Sequence, residues 1–228
     1  DSVYSERRLK GYQNFTNKIW NSSRFALMNL PDGFTPDFDR LTGFSLEAED
    51  FWILSRLNET IENMNSSFAE YKFHIATEEV YSFVWNNFCD WYLELIKPRI
   101  FGKVTEQSAE AARQTLFYVL YSLIGLVHPF MPFLTEEIYS YLKSYRKPSS
   151  KKEENLITSP WPTGIKLDAK AKKTAAVVAG IFQVIGSTRT IRAEAGIAPD
   201  RKIKLIVRTS SKELTALLKS KEMAVQRL

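Results

Sequence analysis

Five side chains near the start of the chain, Lys10, Asn14, Asn17, Asn21 and Arg24, recur at spacings of four, three, four and three residues, with Lys18 beside them. On a helix that spacing lines them along one face. Asparagine is a mediocre helix former, so three of them in one stripe point to a use for their amides. An amide offers both a donor and an acceptor to the edge of a nucleic-acid base, and Lys or Arg supplies the partner for a phosphate. Trp20 and Phe25 could add surfaces on which unstacked bases rest. The same pattern also describes an ordinary solvated helix face with Trp20 and Phe25 turned into a core, and spacing alone leaves both open.

Bond-making chemistry finds little support. His74 and His128 are the only histidines and Cys89 the only cysteine, which leaves no Ser-His-Asp arrangement, no internal disulfide and no zinc site of the usual ligand count. No Gly-rich phosphate loop of either common spacing occurs. Glu78–Glu79 and Glu136–Glu137 are paired carboxylates of a kind that can do acid–base work, but first-turn and surface acids are the commoner use. Cys89, within the aromatic run Phe83 to Pro98, reads as a small buried residue, and Asp90 as a local cap or pairing group. Catalytic residues and metal ligands are therefore expected to be absent.

These residues must be positioned by helices. Apolar spacing predicts a mostly α protein: helical stretches from about Ser5 to Asn29, Glu47 to Tyr71, His74 to Lys97, Glu106 to Val127, Thr135 to Tyr145 and Asp168 to Glu194. Pro98 is expected to stop the third, and Thr135 to cap the fifth with Glu136 and Glu137 in its first turn. Phe34, Phe38, Leu41 and Phe44 of the acidic loop should fold back onto the helices. The pattern divides the chain into a helical bundle at 1–145 and, at 146–228, a linker followed by a small basic α/β appendage. In the appendage, Pro199 precedes a strand-like run from Ile203 to Arg208, and a short helix follows Ser211. Arg189 and Arg192 share a face and could meet one phosphate run. Equally, Arg192 could complement the helix dipole ahead of a left-handed cap at Gly196.

The net charge of +5 conceals a division, with residues 1–142 at −7 and residues 143–228 at +12. A basic half of this kind suits a phosphate-bearing partner, or forms a solvated basic face. Residues 1–8 lack the apolar segment of a signal peptide. No run of about 18 uncharged apolar residues occurs. A reducing, cytoplasmic setting without a membrane partner is the expectation.

Four blocks in order resemble the anticodon-binding region of class I valyl-tRNA synthetases. They are Gly11-Tyr-Gln-Asn-Phe-Thr-Asn-Lys-Ile-Trp-Asn-Ser-Ser-Arg-Phe25, Phe51-Trp-Ile-Leu-Ser-Arg-Leu-Asn58, Phe88-Cys-Asp-Trp-Tyr-Leu-Glu-Leu95 with Lys97-Pro98, and His128-Pro-Phe-Met-Pro-Phe-Leu-Thr-Glu-Glu137. Trp161-Pro162 and Ile191-Arg-Ala-Glu-Ala-Gly196 also match, so the resemblance covers nearly the whole chain. The isoleucine enzyme is the nearest relative of that family, but the third block looks like the valine version. The resemblance implies an antiparallel helical bundle that grips the anticodon stem-loop of tRNA for valine, as a monomer and without DNA or membrane partners. It implies no cofactor in this chain. ATP and Mg would serve a separate catalytic domain, whose HIGH-type and KMSKS-type signatures are absent here, as is a sustained heptad arm. It favours RNA contact by Asn17, Lys18, Asn21 and Arg24, beside which Lys10 and Asn14 are candidates by their spacing in the same stripe, adds Arg56 as a further candidate facing the same groove, and leaves Trp20 and Phe25 in the core. Gln13 stands where arginine is usual in the family. A helical protein-interaction scaffold is the alternative from another class.

Overall fold

The computed structural model describes residues 6–102, 104–146, 154–198, 201 and 203–220. Most of the expected polar linker, and Pro199, lie outside them. Helix α1, Glu6–Met28, turns Phe15, Ile19 and Ala26 inward, and the hydroxyls of Ser22 and Ser23 both bond back to the Ile19 carbonyl. The loop that follows folds back as its aromatics require: Phe34 packs on Phe117, Phe38 on Tyr118 and Tyr121, and Leu41 is fully buried. Gln114 pins this loop, donating to the Thr35 carbonyl at 2.9 Å and accepting from the Asp37 N–H at 2.9 Å.

Helix α2, Ala48–Ala69, buries the stripe Trp52, Leu57, Ile61 and Met64. It ends in a left-handed turn at Tyr71, φ 57°. Lys72 N–H reaches the Ser67 carbonyl (2.8 Å) and Tyr71 N–H the Phe68 carbonyl (3.1 Å). This pattern usually places glycine at the left-handed position, yet here it holds a tyrosine that is 81% exposed.

The third helical stretch corrects the expectation that Pro98 ends it. Helix α3, Phe73–Ser82, passes without a break into a π-helical segment, Phe83–Tyr92, and then into α4, Leu93–Phe101, which contains Pro98. The wider turn is visible where Leu93 N–H reaches back five residues to the Phe88 carbonyl. Pro98 costs one backbone bond, and only three residues of helix follow it before Gly102 N–H closes on the Pro98 carbonyl at 2.8 Å.

Helix α5, Glu106–Val127, starts from a Thr105 cap and is buried almost all round, which makes it the axis of the bundle. Helix α6, Pro132–Leu142, begins three residues earlier than expected. Proline suits a helix's first position because its missing N–H would be unpaired there anyway. Thr135 is therefore not a cap. It is buried inside the helix, donating to the Met131 carbonyl at 2.9 Å and lying 2.8 Å from His128 Nδ1.

Beyond the bundle's first six helices, Asn58 pairs its amide with both backbone groups of Ile165 (2.8 and 2.9 Å), and Trp161 Nε1 donates to Asn65. These bonds lead the chain along α2 into α7, Ala169–Glu194, capped by Asp168. By length and composition α7 would suffice to cross a bilayer. Ala171, Ala175, Val178, Ile181 and Ile185 are buried, and Phe182 packs between Trp52 and Trp91. Helix α8, Lys212–Ser220, capped by Ser211, folds back on α7. The strand expected at Ile203–Arg208 does not form: these residues carry no regular secondary structure, and among the described residues there is no strand. An alternating run needs a neighbouring strand to complete its hydrogen bonds, and none lies beside it.

One polar cluster sits inside this apolar assembly. The Arg99 side chain, 3% exposed, lies 2.7 Å from Asp50 Oδ2 and 3.2 Å from Glu49 Oε1. It also donates to Ser108 Oγ (3.0 Å) and to the Ser108 carbonyl (2.8 Å). Tyr92 donates to Asp50 Oδ1 at 3.0 Å, and Asp50 Oδ2 accepts the Glu47 N–H at 2.8 Å, closing the start of α2. Two buried carboxylates face one guanidinium, and burial pushes the Asp50 carboxyl up to about 6 against the opposing field of Arg99.

We expect Arg99→Ala, which strands two buried acids, to lower unfolding stability by about 3–5 kcal/mol, read from urea midpoints at unchanged m-value. The raised carboxyl gives a second expectation. Because the folded state binds this proton more tightly than the unfolded chain, the stability it adds is present at low pH and is lost as pH rises through about 6. Asp50→Asn should remove that component, so the wild-type-minus-variant difference in unfolding free energy changes between pH 5 and 7. A difference that stays constant over that window would rule it out.

Candidate nucleic-acid interface

Because Phe15, Ile19, Ser22, Ser23 and Ala26 face inward, α1 must present its opposite side to solvent. Lys10, Asn14, Asn17, Asn21 and Arg24 all lie there and are all exposed. At about 100° per residue they occupy an arc of roughly 80°. Among the described residues, none of these five side chains has a hydrogen-bond or ionic partner within the protein. The face is thus a row of three uncommitted amides flanked by two free cations.

Lys18 differs. Its Nζ lies 2.7 Å from Asp90 Oδ1 and 4.7 Å from the centre of the Trp85 ring, and the residue is half-buried. It fastens α1 to the π-helical segment, while Phe15 packs against Tyr81 of α3 at 4.5 Å. Asp90 was expected to pair locally, and instead its partner lies 72 positions away. Phe25 is half-buried against Phe101, as a core-edge residue should be. Trp20 is not in the core: it is 37% exposed and meets Tyr141 of α6 edge-on at 6.3 Å.

The structure does not bring Arg56 to this face. It lies on α2, ion-paired with Glu59, in a crevice of about 440 Å³ that it lines with Trp52, Asn58 and α7 residues including Lys172. Arg189 is exposed with its guanidinium 5.1 Å over the Trp91 ring. Arg192 donates to the carbonyls of Ala198 and Arg201, beside the left-handed Gly196, φ 62°. Ile197 N–H reaches the Arg192 carbonyl at 2.9 Å and Gly196 N–H the Ala193 carbonyl at 3.2 Å, so Arg192 belongs to the helix-ending motif. Lys170, Lys172 and Lys173 add exposed positive charge at the start of α7.

The groups most suited to catalysis are engaged structurally. Burial pushes the Cys89 thiol up to about 11, far from the thiolate form a nucleophile needs. Glu79 accepts from Thr60, Glu136 from the Leu156 N–H, and Glu137 from the Tyr141 hydroxyl. Two residues with large roles were not singled out from the sequence. Arg99 follows a proline in an apolar run and gives no periodic signal. Tyr141 sits at three-residue spacing from Ile138 and could have been read as its neighbour on one face.

The sequence matches, over residues 50–207, the family described as the anticodon-binding domain of tRNA ligase. It is 39% identical over 228 residues to the valine–tRNA ligase of Carboxydothermus hydrogenoformans, covering all of this chain and 24% of that protein. The figures are 39% over 228 residues for the valine–tRNA ligase of Geobacter sulfurreducens, of which 25% is covered. They are 37% over 227 residues for that of Bacillus subtilis, of which 24% is covered. The chain therefore spans about a quarter of the length of the curated relatives it matches.

The contrast between Lys18 and Arg24 is open to measurement. Arg24→Ala should leave unfolding stability within about 0.5 kcal/mol of wild type, as expected of an uncommitted surface residue. Lys18→Met should lower it by about 1 kcal/mol, because Asp90 loses its ionic partner in a half-buried site. Equal effects of the two substitutions would contradict the division of α1 into a fastening side and a free face.

Proposed function

The chain belongs to the family of tRNA-ligase anticodon-binding domains, and on that premise we propose that it recognises the anticodon stem-loop of tRNA for valine. The observation that carries this reading is the α1 face, with Asn14, Asn17 and Asn21 exposed and unpartnered between Lys10 and Arg24. A free amide can match the donor–acceptor pattern of a base edge, whereas a cation beside it holds the backbone in place but reads no sequence. Single-stranded loops are where RNA exposes such edges. Lys18 contributes through its position beside the stripe, and Arg56, Arg189 and Arg192 supply outlying phosphate contacts from α2 and α7.

In this reading residues 1–145 carry the recognition face and residues 146–228 a basic supporting part, net +12 over residues 143–228, which draws in the phosphate backbone. The domain serves a cytoplasmic valine–tRNA ligase that joins valine to its tRNA with ATP and Mg. That chemistry is assigned to other parts of the enzyme, since no residue of the α1 face is suited to it. Valine specificity is supported by the names of the three relatives.

The test is direct binding of a valine-tRNA anticodon stem-loop to the purified domain as a monomer. Affinity should fall linearly in log–log form with salt, at a slope of about −0.7 to −0.9 per phosphate neutralised. Asn17→Ala with Asn21→Ala should weaken binding about tenfold and narrow the preference over a scrambled loop, while Arg24→Ala should weaken binding to both loops alike. Equal affinity of the wild-type domain for valine, isoleucine and scrambled loops would overturn the specificity.

A further inference from the structure

Between Lys10 and Met28 helix α1 carries three cations, Lys10, Lys18 and Arg24, and no acid. Lys10 and Arg24 are exposed without a partner among the described residues, whereas Lys18 is held twice. Its Nζ lies 2.7 Å from Asp90 Oδ1 and 4.7 Å from the centre of the Trp85 ring. Asp90 is itself on a fixed support: Cys89 before it is buried, and Trp91 after it packs on Phe182 of α7 at 4.5 Å. The pair is nonetheless open to solvent, with the Lys18 and Asp90 side chains 32% and 38% exposed. An ammonium has three N–H donors, so Asp90 takes one and two are left without a protein partner among the described residues.

Around the helix Lys18 lies about 40° from Asn14 and about 60° from Asn21, on the side of the amide row that meets the π-helical segment. An unpaired lysine there would be a mobile point charge on a four-carbon stem, drawn to any phosphate within reach. Phosphate contacts carry no sequence information. Asp90 changes both properties. It balances the charge, which reduces the pull on phosphate, and it fixes the ammonium beside the amide row, where the remaining N–H groups can serve as directed donors. We propose that Asp90 is a specificity-determining residue of the α1 face, a positioning group that turns Lys18 from a general phosphate contact into a reader of a base edge. This rests on the reading of α1 as an RNA-binding face. Side chains that read a ligand gain precision from partners that hold them in place without touching the ligand. Here the partner comes from the segment that also carries Trp85, so acid and ring fix the same ammonium.

The test compares binding of valine and scrambled anticodon stem-loops to the whole domain, each over a range of salt. Asp90→Asn keeps the shape of the acid and removes its charge. It should narrow the preference for the valine loop about tenfold, roughly the worth of one hydrogen bond to a charged group. It should also steepen the salt dependence by about 0.7 to 0.9, the share of one added phosphate contact. Lys18→Met should narrow the preference by a similar factor without a steeper slope. The double variant should lose no more than either alone, since the pair acts as a unit. Asp90→Glu, which keeps the charge, should keep the preference. If Lys18 and Asp90 only fasten α1, Asp90→Asn weakens both loops alike at an unchanged slope, and that result overturns the assignment. So does a preference that stays at the wild-type value, or two substitutions whose losses multiply. A wild-type domain that binds the two loops equally overturns the reading of the α1 face as well.

Discussion

A single buried guanidinium sets the geometry of this bundle. Arg99 is the last charged residue of α4, and its contacts are Glu49 and Asp50 at the start of α2 and Ser108 at the start of α5. Three helix ends from separate parts of the chain thus share one point of attachment. Desolvating such ions offsets most of their mutual attraction, so the value of the cluster lies in registration: apolar surfaces alone would tolerate sliding by a turn, whereas this arrangement accepts one alignment. The attachment also accounts for a helix that carries Pro98 one residue before its anchor. The backbone bond lost at Pro98 is offset by the polar contacts of the residue that follows it.

The wide turn of the π-helical segment matters for the same reason. It lies directly ahead of α4, and it changes the rotation with which Leu93 onward meets the bundle. The outer side of the segment carries Trp85 and Asp90, which receive Lys18, while Phe88 and Tyr92 face the core and the Tyr92 hydroxyl reaches Asp50. The segment therefore joins the fastening of α1 to the polar cluster. The free face of α1 points outward because Phe15 and Ile19 are held on the opposite side and Lys18 is held beside it.

Much of this was legible in the sequence wherever periodicity and burial coincide. Helices α1, α2, α5 and α7 fall within about two residues of the spans their apolar spacing predicts. The turn chemistry of Asp168, Ser211 and Gly196 also follows from residue type alone. Pro98 and Thr135 depart from expectation for different reasons, one a tertiary contact and the other a stronger local start signal. Pro98 is retained inside a helix by what Arg99 binds, and Thr135 is displaced from the cap position by Pro132. The strand pattern at Ile203–Arg208 is a local preference without the neighbour it requires. On the candidate interface, the amide row could be read because it is periodic. The pairing of Lys18 with Asp90 could not, since nothing in one chain links positions so far apart, and the Tyr141 ring that Trp20 meets comes from a different helix.

Tyr71 bears on how this domain could be altered. A non-glycine residue in the left-handed region costs about 1–2 kcal/mol, and the ring it carries is 81% exposed, in edge contact with Phe73. The domain therefore operates below the stability its own topology permits. Glycine at this position would supply a margin of mutational tolerance at a residue outside both the Arg99 cluster and the α1 face. Protein engineers could draw on that margin to absorb destabilising changes while the recognition surface is rewritten.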